Sequence, residues 1–138
     1  MSLPKIVITC GDPNGIGPEI GLKIINNDKL RKLYDLKLII PESVLNHYSK
    51  SLKLKRPENN AFINIPDFNM HVKEGRIDKK AGRIASDAIR IGAELCMRKS
   101  FNAMVTLPIS KKSFNLAGFN FPGHTEFLKA ITGCDKTI

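Results

Sequence analysis

The sequence has no apolar run that approaches the length of a membrane-spanning helix, and its first residues, MSLPKIVIT, lack the pattern of a secretory signal peptide. Cysteine is also scarce: Cys10, Cys96 and Cys134 are widely spaced, and no CxxC motif occurs. Such a set is typical neither of a disulfide framework nor of a zinc site. These absences predict a cytoplasmic protein whose three thiols are buried.

Nucleic-acid-binding patterns are absent too, although the 138 residues carry 22 Lys and Arg against 13 Asp and Glu, a formal net charge of +9. The basic residues are scattered, and the densest patch, residues 50–56, has no interleaved aromatic side chain. No zinc-finger, RNP-type or basic-zipper pattern appears. We therefore expect neither nucleic acid nor membrane as a partner, and some attraction for acidic small molecules.

Short apolar runs alternate with helix-like segments along the chain. The first run, Lys5 to Thr9 (KIVIT), is β-branched, as is typical of a parallel strand covered on both faces. The strongest helical period lies at 79–98, with Asp78 as its expected N-cap. Further strands are predicted at 36–40, 61–65, 69–72 and 101–106. A further helix is predicted at 41–51, and another with Pro18 in its first turn, which frays at 26–28 and continues briefly through Leu30 and Leu33. This alternation predicts an α/β fold with a mainly parallel sheet flanked by helices.

A glycine-rich turn, GDPNGIGPE at 11–19, joins the first strand to the first helix. Turns of this kind lie at the carboxyl ends of strands, where α/β proteins bind ligands. The dinucleotide fingerprint fails, because Ile20 stands where the third glycine belongs, and no Gly-Lys-Ser/Thr follows as in a phosphate-binding P-loop. Two interpretations stay open: the glycines serve only a tight turn, or Asp12 binds a substrate or cofactor.

A second loop, residues 106–112, also follows a strand, so both loops are expected at the same edge of the sheet. Lys111 in this loop either holds a phosphate as a point charge or is simply solvated.

His124 lies in the stretch FPGHTEFL, residues 121–128, between a Pro-Gly turn and a predicted helix. Thr125 is a good N-cap, so His124 is expected at the mouth of a helix N-terminus, where a neutral imidazole is favoured and free N–H groups attract anions. His47 reads as a surface residue, and His71 has no acidic or cysteine partner at ligand spacing, so neither indicates a metal site.

Four stretches together resemble one family. These are CGDPNGIGPEI at 10–20, GRIASDAIRIGAEL at 82–95, MVTLPISK at 104–111 and LAGFNFPGHTEFL at 116–128. In order and spacing they are similar to the N-terminal part of the 4-hydroxythreonine-4-phosphate dehydrogenases of pyridoxal phosphate biosynthesis. The match runs nearly from end to end of the chain.

The resemblance implies a fold similar to isocitrate and isopropylmalate dehydrogenases, with two α/β domains, a cleft between them, and a homodimer. Because members of the family are more than twice as long, the chain would cover less than half of that fold. Residues 1–120 would supply the N-terminal part of the first domain, and residues 121–138 the start of the second. The chain alone is then expected to be inactive.

The implied reaction is the oxidation of 4-phosphooxy-L-threonine by NAD or NADP with a divalent metal (Zn, Mg or Co). In this family the His-Thr pair that corresponds to His124 and Thr125 contacts the substrate, and three histidines downstream of this chain hold the metal. Ser110 and Leu107 depart from the usual family residues, which leaves the substrate open. The alternatives are a dehydrogenase of another phosphorylated four-carbon hydroxy acid, a phosphate acyltransferase of related fold, and an inactive fragment.

Overall fold

A parallel sheet forms the centre of the chain in the computed structural model, which describes residues 2–135. Its strands are β1 (Lys5–Thr9), β2 (Asp35–Ile39), β3 (Phe62–Ile63) and β4 (Ala103–Thr106). They lie in the order β3-β2-β1-β4, and every pairing is parallel. The predicted α/β class and parallel sheet are confirmed. The carboxyl ends of β1 and β4 therefore lie side by side, with Thr9 in register with Thr106.

Helices flank this sheet: α1 (Gly17–Ile25), α2 (Asp28–Leu33), α3 (Glu42–Ser51), α4 (Lys79–Met97), α5 (Lys111–Leu116) and α6 (His124–Thr132), with a 3-10 turn at Asn59–Ala61. The predicted helix at 79–98 is confirmed almost to the residue. Asp78 caps it as expected, because its side chain accepts a hydrogen bond from the Lys80 amide at 2.7 Å. Ala81, Ile84 and Ala88 on its inner face are fully buried against the sheet.

Two groups of buried apolar residues hold the layers together. The larger lies on the central strands, where Val7, Ile8 and Leu38 are at most 1% exposed. The smaller is aromatic: the ring of Phe127 on α6 packs edge-on against Phe114 of α5, with 5.1 Å between ring centroids. This second group fixes the start of α6 next to α5, and with it the position of His124.

Three predictions for local structure were wrong. Residues 69–72 do not form a strand, because Phe68 and Asn69 take left-handed backbone angles and the Asp67 carboxylate accepts the Asn69 amide, which makes a turn. The strand predicted at 61–65 is reduced to two residues, Phe62–Ile63.

The third error concerns the thiols: only Cys10 is buried, whereas Cys96 is partly exposed and Cys134 is exposed. Over residues 2–135, no helix is both long and apolar enough to cross a membrane.

Candidate functional site

The loops that follow β1 and β4 meet at the carboxyl edge of the sheet, as the sequence predicted. The amide of Asp12 donates a hydrogen bond to the carbonyl of Pro108 at 2.9 Å. Gly11 makes this approach feasible, because its φ is +69° and a Cβ atom there would overlap the Pro108 carbonyl oxygen. One glycine of the turn therefore serves the contact between the two loops.

Asp12 lies at this contact and is only 4% exposed. Its Oδ1 accepts the Asn14 amide at 2.7 Å, while Oδ2 is buried and has no hydrogen-bond partner in the described part of the chain. Burial raises the pKa of this carboxyl; the Asn14 amide and the nearby Ser113 hydroxyl oppose the rise, and the charge of Asp78 adds to it. A buried, unpartnered carboxylate oxygen is costly, so its presence at a loop edge indicates a place for a ligand donor.

Asn14 is a residue of this site that the sequence analysis missed. Its side chain, 3% exposed, accepts the Lys73 amide at 2.9 Å and donates to the Arg76 carbonyl at 3.2 Å, and its own carbonyl accepts the Gly75 amide at 2.7 Å. These three bonds hold residues 73–77, here called the strap, against the glycine turn. No local pattern announces the partnership, because Asn14 and Lys73 are 59 residues apart.

The turn, the strap and the second loop enclose a pocket of about 220 Å³. Its walls include Asp12 and Asn14 from the turn, Arg76 from the strap and residues 108–110 from the second loop. Larger cavities lie elsewhere: one of about 360 Å³ at the opposite edge against Lys5 and Lys37, one of about 470 Å³ against α4, and one of about 410 Å³ between α3 and residues 64–67. We favour the 220 Å³ pocket as the functional one, because it lies outside the carboxyl ends of β1 and β4, where the strand order reverses and where open α/β sheets bind ligands.

His124 is the first residue of α6, and Gly123 is its N-cap. The prediction that Thr125 caps this helix was wrong: the N-cap is Gly123, two residues earlier, and the exposed Thr125 lies within the first turn. The Nε2 atom of the half-buried His124 is itself buried and lacks a hydrogen-bond partner among residues 2–135. Burial lowers the pKa of this imidazole, opposed by the nearby Leu107 backbone, so the neutral form is favoured as predicted.

The structure thus brings two of the predicted residues to one loop. Asp12 contacts Pro108, and His124 lies beside the backbone of the preceding Leu107, although it does not line the 220 Å³ pocket. Lys111, the first residue of α5, is exposed and does not line that pocket either. Its role stays a prediction.

A metal site does not form from the residues at hand. Over residues 2–135, no three side chains of His, Cys, Asp or Glu come together in a way that could hold a metal ion. His47 is exposed, with its Nε2 atom 3.3 Å from Glu74, and His71 is exposed. The side chains of residues 2–135 therefore do not form a metal site by themselves.

These features define the class as an α/β protein whose candidate site lies at the loops after β1 and β4. Residues 20–138 match the family model described as pyridoxal phosphate biosynthetic protein PdxA, and the chain belongs to that family.

Sequence relatives agree with this assignment. A 4-hydroxythreonine-4-phosphate dehydrogenase of Sulfurimonas denitrificans is 36% identical over 144 residues, which cover 99% of this chain and 46% of that protein. A D-threonate 4-phosphate dehydrogenase of Salmonella typhimurium is 30% identical over 151 residues, which cover 96% of this chain and 45% of that protein. The chain spans less than half the length of these curated relatives.

Solved structures show the same fold. A crystal structure described as a 4-hydroxythreonine-4-phosphate dehydrogenase from Burkholderia phymatum superposes with a TM-score of 0.85 at 26% identity, covering 99% of this chain and 46% of that one. A terephthalate dihydrodiol dehydrogenase from Burkholderia xenovorans, at 21% identity and a TM-score of 0.68, shares the fold alone.

Proposed function

We propose that this chain is part of an NAD(P)-dependent dehydrogenase that oxidises 4-phosphooxy-L-threonine to 2-amino-3-oxo-4-phosphooxybutanoate, which then loses its carboxyl group as carbon dioxide. The reaction removes a hydride from the secondary alcohol carbon and a proton from its hydroxyl. Membership of the PdxA family and the names of relatives such as the Sulfurimonas protein support the proposal.

The observation that carries the site assignment is the buried, unpartnered Nε2 of His124. A neutral imidazole can donate or accept one hydrogen bond at this atom, which suits the positioning of a polar substrate group. The exposed hydroxyl of Thr125 follows on the same turn of α6 and supplies a second polar contact. Asp12 and Lys111 are secondary candidates for substrate binding.

The nicotinamide would accept the hydride, and a divalent ion would act as a Lewis acid on the alcohol. The chain lacks the dinucleotide fingerprint, so we assign no residue to the cofactor. We expect the metal ligands outside this chain, in a homodimer whose first domain includes residues 1–120 and whose second begins within residues 121–138.

An NADH assay tests the proposal. The protein at its native length is mixed with 4-phosphooxy-L-threonine, NAD and Zn²⁺, Mg²⁺ or Co²⁺, and absorbance at the NADH band is followed. We expect turnover that a chelator abolishes, and none from the 138-residue chain alone. Absence of NADH with every metal and with either NAD or NADP would refute the assignment.

A second candidate substrate is D-threonate 4-phosphate, since a Salmonella relative is named for its oxidation at 30% identity. This acid differs from phosphooxy-threonine in carrying a hydroxyl where the latter carries an ammonium group. Comparison of kcat/KM for the two compounds separates the candidates, and the higher value identifies the substrate.

A further inference from the structure

The strap supplies a positive charge that forms no ion pair within residues 2–135. Arg76 is exposed and lines the 220 Å³ pocket, and its guanidinium takes part in none of the ion pairs found among residues 2–135. Lys73, the other cation of the strap, is exposed but does not line this pocket. The positive charge at the pocket therefore depends on the position of Arg76 in the strap.

Asn14 holds that segment. Its two side-chain bonds go to the backbone of Lys73 and of Arg76, and its carbonyl bonds to Gly75 between them. Asn14 itself is fixed by the bond from its amide to Asp12 Oδ1. The same short turn thus orients the unpartnered Asp12 Oδ2 and sets the position of Arg76.

The pocket therefore combines an acceptor with an unpaired cation. An anion alone would be repelled by the Asp12 carboxylate, whereas a ligand that carries a hydroxyl or N–H donor next to a phosphoryl group satisfies both. The N-terminus of α1 borders the same pocket through its N-cap residue Ile16, whose side chain makes no capping hydrogen bond. The positive end of the α1 dipole favours an anion there as well.

We propose that this pocket is a subsite for the phosphoryl part of a ligand that also bears a hydrogen-bond donor, with Arg76 binding the phosphoryl oxygens, Asp12 accepting from the donor, and Asn14 acting as a positioning residue for Arg76. The inference deepens the proposed function, on which its choice of phosphorylated ligands rests. Two ligands of that function share this chemistry: the phosphorylated hydroxy acid and the dinucleotide.

Isothermal titration with two probes, 4-phosphooxy-L-threonine and NAD, tests the subsite in the protein at its native length. We expect at least one probe to bind, and Arg76→Ala to weaken its binding about tenfold, the scale of a charge-assisted hydrogen bond. The probe that loses affinity identifies the source of the phosphoryl group. If Arg76→Ala weakens neither, the subsite does not exist.

Lys73→Ala is the matched control, because it removes the same charge from the same strap but from outside the pocket. The affinity of this variant for the probe that Arg76 binds should stay within twofold of the wild-type value. A loss equal to that of Arg76→Ala would mean unspecific attraction by the basic surface and would overturn the proposal.

Asn14→Ala tests the positioning role. It should weaken binding of the probe as Arg76→Ala does. The variant that carries both substitutions should lose no further affinity, because both changes remove the same contact. Asn14→Ser is the second variant if Asn14→Ala does not fold. Amide hydrogen exchange at Lys73 and Gly75 should accelerate in the Asn14 variant. Additive losses, or unchanged affinity with accelerated exchange, would show that Asn14 is structural only.

The NADH assay keeps this inference separate from the proposed function. Turnover without an effect of Arg76→Ala refutes the subsite alone. Binding that depends on Arg76, with no NADH from any candidate substrate, refutes the dehydrogenase and leaves the subsite standing.

Discussion

The backbone amide of Asp12 and the carbonyl of Pro108 are joined by a hydrogen bond of 2.9 Å, which ties the loop after β1 to the loop after β4. Both buried polar atoms that we assign to ligand binding lie beside this junction: Oδ2 of Asp12 itself and Nε2 of His124, next to Leu107. The geometry of the site therefore depends on how closely two backbone segments approach each other.

Gly11→Ala should disrupt this junction. The new Cβ would overlap the Pro108 carbonyl oxygen, and φ of +69° is unfavourable for alanine. We expect the free energy of unfolding, measured by urea denaturation, to fall by about 3 kcal/mol or more.

Gly118→Ala is the matched control, since φ there is +96° but no atom lies within 4 Å of the added Cβ. The free energy of unfolding of this variant should fall by about 1 kcal/mol, because only the backbone angle is unfavourable. Equal losses at the two positions would contradict the role of close approach.

Sequence periodicity was sufficient to predict most of the fold. The β-branched run at Lys5–Thr9 and the apolar spacing through Ala81, Ile84 and Ala88 each encode one element, because burial on a strand or a helix face repeats with a fixed period. The meeting of the two loops followed from parallel topology. These predictions needed only patterns of residues close in sequence and the rule that loops after parallel strands emerge at the same edge of the sheet.

The parts of the site that escaped prediction depend on contacts distant in sequence or on fine local geometry. In the sequence, Asn14 looks like an ordinary residue of a turn. Only the folded chain shows that it holds the strap, 59 residues away. The start of α6 was misplaced by two residues, because Thr125 satisfies the N-cap preference while the N-cap of the folded chain is Gly123. The motif resemblance indicated His124 and Thr125, but not the burial of the His124 Nε2 atom.

Asp12→Asn should separate stability from ligand binding. The amide oxygen preserves the acceptor for the Asn14 amide, and the substitution removes a buried charge whose second oxygen is unpartnered. Because burial raises the folded-state pKa of Asp12 above 3.8, ionisation of this group lowers stability as the pH rises through that pKa.

We therefore expect the thermal melting temperature of Asp12→Asn at pH 7 to equal or exceed that of wild type, while affinity for the probe that uses the subsite falls. Melting by circular dichroism and titration calorimetry measure the two quantities. A strongly lowered melting temperature would instead indicate that the carboxylate is a structural group.

His124 should make stability depend on pH in the opposite sense. Burial lowers its folded-state pKa below 6.5, so below pH 6.5 the unfolded chain binds more protons than the folded one. Stability from this group is complete above pH 6.5 and is lost as the pH falls toward the folded pKa. Urea denaturation at a series of pH values should show a smaller decline for His124→Asn than for wild type.

His71→Asn is the control for the loss of a histidine from the exposed surface. It should follow the wild-type curve. If His124→Asn and wild type have the same pH profile, the imidazole is not desolvated in solution.

His124→Ala in the protein at its native length should lower kcat/KM for the phosphorylated substrate by roughly two orders of magnitude, the scale of losing a contact that positions a reacting group. The loss follows from the geometry, because Nε2 is buried at the start of α6 and no group among residues 2–135 hydrogen-bonds to it. His47→Ala is the matched control, since that imidazole is exposed, pairs with Glu74 and packs edge-on against Tyr48. Steady-state NADH formation measures both variants, and wild-type efficiency in His124→Ala would remove this residue from the substrate site.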